Sequence, residues 1–124
     1  GMTELSGIGS HTDPADSPQI RAETCGKPYE GVEVQVVEPD TGRICKADEQ
    51  GELYVRGFLV FEGYYKQPDE TAKAIDDQGW FHTGDLAVMH PHGYAEIKDR
   101  LKDIINKIKM FYKSKIQIEK NAYV

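Results

Sequence analysis

At 124 residues, with 29% charged side chains and a formal net charge of −6, the chain is sized for one folded domain, and its ordinary charged fraction does not indicate disorder. No apolar run approaches the roughly 18 residues needed to cross a bilayer, and the first residues lack the basic, apolar, small-residue layout of a secretion signal, so a soluble cytoplasmic protein is expected. Residues 1–100 carry 9 Lys and Arg against 19 Asp and Glu, whereas residues 101–124 carry 6 Lys against 2 acids; an acidic body of that size argues against a nucleic-acid surface.

Residues 1–30 scatter Gly, Ser, Thr, Asp and Pro among few apolar positions and read as an irregular segment. From Val32 the pattern changes, because Val32, Val34 and Val36 alternate with Glu33 and Gln35 at the period of a half-buried strand. Pro39-Asp40-Thr41-Gly42 has the residues of a tight turn, which predicts a hairpin returning through Arg43–Lys46. A second strand is expected over Glu52–Arg56, bounded by Gly51 and Gly57. Pro68–Ile75, with Asp69 and Glu70 in its first turn, predicts a short helix.

Asp85–Met89 and Tyr94–Lys98, joined by His90-Pro91-His92-Gly93, predict a further hairpin. Leu101, Ile104, Ile105, Ile108, Phe111 and Tyr112 then fall at helical spacing, which predicts an amphipathic helix from about Leu101 to about Lys115. Its lysines read as a solvated face. The fold class expected is mainly β with helices: a small distorted antiparallel barrel or bent sheet over residues 31–100, with an altered hinge and basic helical tail over 101–124.

Two features bear on chemistry directly. Gly79-Trp80-Phe81-His82-Thr83-Gly84-Asp85-Leu86 delivers one carboxylate after a glycine turn, and a carboxylate so held can accept two hydrogen bonds from the vicinal diol of a nucleotide ribose. His82, His90 and His92 with Asp85 offer zinc-ligating types, but the His-Pro-His spacing sits in a turn and lacks a supporting fourth ligand, which disfavours a zinc set. Cys25 and Cys45 have no metal-like spacing and read as free thiols.

The ordered set Gly1-Met2-Thr3-Glu4, Gly51-Glu52-Leu53-Tyr54-Val55-Arg56-Gly57, Glu62-Gly63-Tyr64-Tyr65, Thr83-Gly84-Asp85 and Asp99-Arg100-Leu101-Lys102-Asp103 resembles the adenylate-forming (AMP-binding) superfamily, in particular its acyl-CoA synthetases. The resemblance covers residues 1 to about 105. It implies that Thr3 contacts nucleotide phosphate, that Glu4 helps to hold Mg²⁺, that Asp85 binds the ribose with Arg100 as a second nucleotide contact, and that Lys102 stands at the interdomain hinge. It further implies ATP or AMP, Mg²⁺ and coenzyme A as cofactors, and a small carboxylic acid, of the fatty-acid type, as substrate.

The family's Ser/Thr/Gly-rich phosphate loop has no counterpart here, and Asn106-Lys107-Ile108-Lys109-Met110 replaces the glycine-containing turn that precedes its lysine-bearing small domain. The expectation is therefore a partial acyl-CoA ligase, inactive by itself. The alternatives are an interaction or oligomerisation module that uses the C-terminal helix, and one half of a split enzyme.

Overall fold

The computed structural model describes residues 1–103, 105, 106, 108–110 and 113. The expected amphipathic helix to about Lys115 lies partly outside these; the described residues from 101 onward are helical.

The chain opens with a 3₁₀ turn, Thr3–Leu5, followed by the two-residue strand β1 (Ser10–His11), helix α1 (Pro18–Glu23) and the two-residue strand β2 (Lys27–Pro28), which pairs antiparallel with β1. The segment read as irregular thus contains a short helix. Ser17 caps it, its hydroxyl oxygen accepting the Ile20 N–H, and Pro18 occupies the first helical turn, where a missing N–H costs nothing.

Four strands then build the main sheet: β3 (Val32–Val37), β4 (Gln50–Gly57), β5 (Phe81–Met89) and β6 (Ala95–Arg100), all antiparallel and in the order β3-β4-β5-β6. Helix α2 (Pro68–Ala74) lies between β4 and β5 in the chain. The antiparallel sheet with helices is as expected, but β3 and β6 do not pair, so among the described residues the sheet is open and forms no closed barrel.

The hairpin expected after Pro39 is corrected in one respect. Arg43–Lys46 turns back beside β3 through Glu38 N–H to Arg43 O (2.9 Å) and Cys45 N–H to Val36 O (2.8 Å), with a single bridge between Val37 and Ile44. The strand that pairs with β3 along its whole length is β4, Val32 opposite Gly57 through Val37 opposite Glu52. Arg43 accounts for the short return, because its guanidinium lies between Glu38 (3.3 Å) and Glu49 (3.1 Å) and ties the turn to the loop that leads into β4.

The core is the apolar face of this sheet. Leu5, Val32, Val55, Leu59 and Phe81 form one cluster, and Phe81 and Val55 are each only 2% exposed. Leu5 pins the 3₁₀ turn onto the sheet, and the Phe61 N–H reinforces it by donating to Glu4 O at 2.9 Å, as does the Ser6 hydroxyl to Leu59 O at 2.8 Å. The start of β6 is tied to the N-terminal segment by the Cys25 N–H to Ala95 O bond (2.8 Å) and by the Tyr94 hydroxyl donating to Asp16 (2.9 Å). No described helix is long and apolar enough to cross a membrane.

Candidate functional site

The Thr83-Gly84-Asp85 triplet sits inside β5 where the pairing with β4 breaks step. Glu52 faces Leu86 and Tyr54 faces His82, so the one residue between them on β4, Leu53, is opposed by three on β5. A bulge of this kind removes backbone groups from the ladder and re-aims the side chains that follow. The displaced groups find other partners. The Thr83 hydroxyl, on a residue only 6% exposed, donates to Leu53 O at 2.7 Å and accepts the Asp85 N–H at 3.1 Å. The Gly84 N–H donates to the Glu52 carboxylate at 3.0 Å. Gly84 has φ +73°, a left-handed conformation that glycine adopts without the Cβ penalty.

On its other edge β5 pairs with β6, whose register shifts between Leu86 and Ala87, and there Asp85 lies directly opposite Arg100, with Arg100 Nε 3.2 Å from Asp85 Oδ1. Asp85 is mostly covered (side chain 19% exposed) and Arg100 reaches into solvent (59%). Burial pushes the Asp85 carboxyl above the usual carboxylate range, while Arg100 and the chain's amino group pull the other way. Asp85 also borders a small, largely apolar cavity of about 80 Å³, whose other walls include Met2, Leu5, Leu53 and Ile97.

The structure therefore brings Asp85 and Arg100 together. The N-terminal turn reaches the same cavity through Gly1, Met2 and Leu5, whereas Thr3 and Glu4 do not line it. Thr3 is exposed and Glu4 half-buried. After burial, the Glu4 charge contributes to holding the Tyr64 hydroxyl above its ordinary pKa. The Glu4 carboxylate accepts no hydrogen bond among the described residues. A carboxylate left in that state fits a hard divalent cation that takes one protein oxygen and completes its shell with phosphate and water. Lys102 follows β6 by two residues and shares an open hollow with Gly84, Arg100, Leu101, Asp103 and Ile105.

The histidines go elsewhere. His82 Nε2 lies 3.1 Å from Asp76 Oδ2, and its ring stacks on Tyr54 at 3.8 Å. Asp76 Oδ1 meanwhile accepts the N–H groups of Gln78 and Trp80, both at 3.0 Å, so one carboxylate fixes the loop that leads into β5. His90 lies between Asp48 (3.3 Å) and Glu96 (2.6 Å) at the far hairpin. Arg56 reinforces the loop from β4, stacking its guanidinium 4.3 Å above Trp80, donating to Gln78 O at 3.2 Å and pairing with Glu33 at 2.9 Å.

Sequence reasoning found the carboxylate and the arginine but missed the supports: Glu52, Thr83 and Asp76. Glu52 stood in a motif read for its glycines, and nothing in the sequence marks which amide a carboxylate 32 positions away will accept. Asp76 had a local signal, since Asp-x-x-Gly before an aromatic pair is the pattern of a side chain capping its own turn.

The profile of the AMP-binding enzyme family matches residues 1–65. Among curated proteins, YngI of Bacillus subtilis (strain 168), which bears the name of an acyl-CoA synthetase, is 47% identical over 105 residues, 85% of this chain and 19% of its own. Peroxisomal OPC-8:0-CoA ligase 1 of Arabidopsis thaliana is 36% identical over 105 residues, again 85% of this chain and 19% of its own. Among solved structures, o-succinylbenzoate CoA synthetase of Bacillus subtilis, in complex with its acyl-adenylate intermediate, superposes with a TM-score of 0.73 at 30% identity, over 81% of this chain and 25% of its own. The chain spans about one fifth of the length of the curated relatives it matches.

Proposed function

The chain belongs to the AMP-binding enzyme family, and from that premise we propose that Asp85 and Arg100 hold the ribose of an adenine nucleotide in an AMP-forming acyl-CoA ligase. The observation that carries this reading is the 3.2 Å approach of Arg100 Nε to Asp85 Oδ1 beside the bulge at Gly84. The two ribose hydroxyls donate to the Asp85 carboxylate, which is acceptor-only when ionised. Arg100, with several fixed donors and most of its side chain in solvent, reaches a ribose or phosphate oxygen beside it.

The remaining roles are assigned on the same footing. Thr3 offers an exposed hydroxyl to phosphate, and Glu4 supplies one oxygen toward Mg²⁺. When bound, the ion neutralises charge on the phosphates. Lys102, two residues after β6, is the hinge residue, so that residues 31–100 form the sheet subdomain and 101–124 the altered hinge and tail. The reaction of the whole ligase joins a carboxylate to the α-phosphate of ATP with release of pyrophosphate, then passes the acyl group to the thiol of coenzyme A with release of AMP. A fatty acid is the substrate class we assign, supported by the likeness to CoA ligases. The free thiols of Cys25 and Cys45 fit a reducing compartment such as the cytoplasm.

The 124 residues contain no Ser/Thr/Gly-rich phosphate loop, and none of the lysines from Lys107 onward can be matched to the lysine that adenylate formation requires. The polypeptide by itself is accordingly read as binding nucleotide weakly without turning it over. Two measurements test this. AMP titrated into the chain is expected to shift the backbone amide resonances of Gly84, Asp85 and Arg100, and to lose that effect in Asp85→Ala. Incubation with ATP, Mg²⁺ and fatty acids is expected to release no pyrophosphate above blank. An AMP response indifferent to Asp85→Ala overturns the ribose assignment, and clear turnover overturns the inactivity.

A further inference from the structure

We propose that Glu52 is a positioning residue for the nucleotide site: by accepting the Gly84 N–H it fixes the Thr83–Gly84 peptide, next to the one that carries Asp85, and so helps to set the direction in which the Asp85 carboxylate points. The inference rests on the ribose reading of Asp85 for its functional meaning, though not for its geometry.

Glycine in the left-handed region has no intrinsic preference strong enough to fix it, and a Cβ placed at Gly84 would meet nothing within 4 Å, so packing does not lock the peptide either. The bulge has also removed it from the β4–β5 ladder. On the other edge Asp85 still pairs with Arg100 of β6, so what holds the Gly84 turn itself is local hydrogen bonding. Thr83 Oγ1 holds the Gly84–Asp85 peptide by accepting the Asp85 N–H, and Glu52 Oε1 holds the Thr83–Gly84 peptide before it by accepting the Gly84 N–H at 3.0 Å.

Glu52 is an unusual choice for a merely structural acceptor. It forms no ion pair among the described residues, it is half-buried, and it directs an ionised oxygen at a neutral amide, a hydrogen bond roughly twice as strong as a neutral one. It sits on β4 immediately before the break in register, the position from which one side chain can span the bulge. Rotation of the Thr83–Gly84 peptide would disturb the turn from which Asp85 reaches Arg100, and the Glu52 bond opposes that rotation.

The test uses the full 124-residue chain and the variants Glu52→Gln and Glu52→Ala, with thermal melts run alongside. In the native chain the Gly84 amide proton is expected to follow the titration of the Glu52 carboxyl. In Glu52→Ala the carboxyl carbon of Asp85 is expected to titrate at a shifted midpoint, and the preference for AMP over its 2′,3′-dideoxy analogue is expected to fall about fivefold or more, toward that of Asp85→Ala. Glu52→Gln keeps an oxygen acceptor and is expected to retain the native Asp85 midpoint and most of the preference.

A Gly84 amide indifferent to Glu52 ionisation overturns the proposal whether or not AMP binds. So does a folded Glu52→Ala whose Asp85 titrates as in the native chain. Should Glu52→Ala fail to fold, the Gly84 amide in the native chain and the Asp85 midpoint in Glu52→Gln decide. A native chain that binds AMP and its dideoxy analogue equally refutes the ribose reading instead, and leaves the Gly84 and Asp85 titrations to judge Glu52 alone.

Discussion

Asp76 and Asp85 flank the same short stretch of chain, and their surroundings push them in opposite directions. Burial raises Asp76, but the hydrogen bonds from His82 and from the Trp80 and Gln78 amides outweigh it and hold the carboxyl below the usual aspartate range. A carboxyl lower in the folded than in the unfolded state contributes stability that is present above its ordinary value near pH 4, and that is lost as pH falls through the folded value. Asp85 is the reverse case: burial raises it, so its ionisation works against the fold as pH rises through the window above its ordinary value. Thermal melts across pH separate the two. Asp76→Asn is expected to cost about 1 kcal/mol at neutral pH, a figure discounted because the side chain is 35% exposed, and to match the native chain once the pH is low enough to protonate Asp76. Asp85→Asn is expected to leave the neutral-pH melting temperature unchanged or higher, because its pair with exposed Arg100 is worth little to stability. A loss in Asp85→Asn as large as that in Asp76→Asn would mean that Asp85 is placed for the fold and not for a ligand. The contrast explains why sequence found one aspartate and not the other: Thr83-Gly84-Asp85 advertises its carboxylate, whereas the value of Asp76 lies in three partners that meet only once the loop has closed.

At the scale of elements, the legible parts were those whose signals are local. The Val32, Val34 and Val36 alternation, the acidic first turn of α2 and the turn at Gly93 each state their conformation within a few residues, and β3, α2 and the β5–β6 hairpin appear there. Partner choice was harder to read. Pro39-Asp40-Thr41-Gly42 does turn the chain, but the long pairing of β3 goes to β4, whose Leu53 and Val55 face Val36 and Val34 and bury more apolar surface than Arg43–Lys46 can offer. The β5 bulge was not legible at all, because it depends on Glu52 and Leu53 lying opposite the triplet. Helix α1 carries a local start signal within a segment whose composition reads as irregular: Ser17-Pro18 is a cap followed by proline in the first turn. That signal makes a prediction. Ser17→Ala removes the acceptor for the Ile20 N–H and is expected to cost about 1 kcal/mol in urea denaturation, with the amides of α1 losing hydrogen-exchange protection first. Unchanged stability and protection would show that α1 is held by its neighbours and not by its cap.

For the molecule as a whole, the N-terminal turn, the β4–β5 bulge and the first half of β6 meet around one small cavity, although Met2, Leu53, Asp85 and Ile97 are spread over most of the described chain. The sheet brings Asp85 opposite Arg100, and the core residues Leu5 and Phe81 bring the N-terminal turn onto the same sheet. This convergence is assigned to grip a ribose through Asp85. The most direct measurement compares dissociation constants for AMP and 2′,3′-dideoxy-AMP on the native chain and on Asp85→Ala. Hydrogen bonds from two hydroxyls to a carboxylate predict a preference for AMP of about tenfold or more in the native chain, falling to near parity in Asp85→Ala. Equal affinity for the two nucleotides in the native chain, or a preference that survives Asp85→Ala, would contradict it.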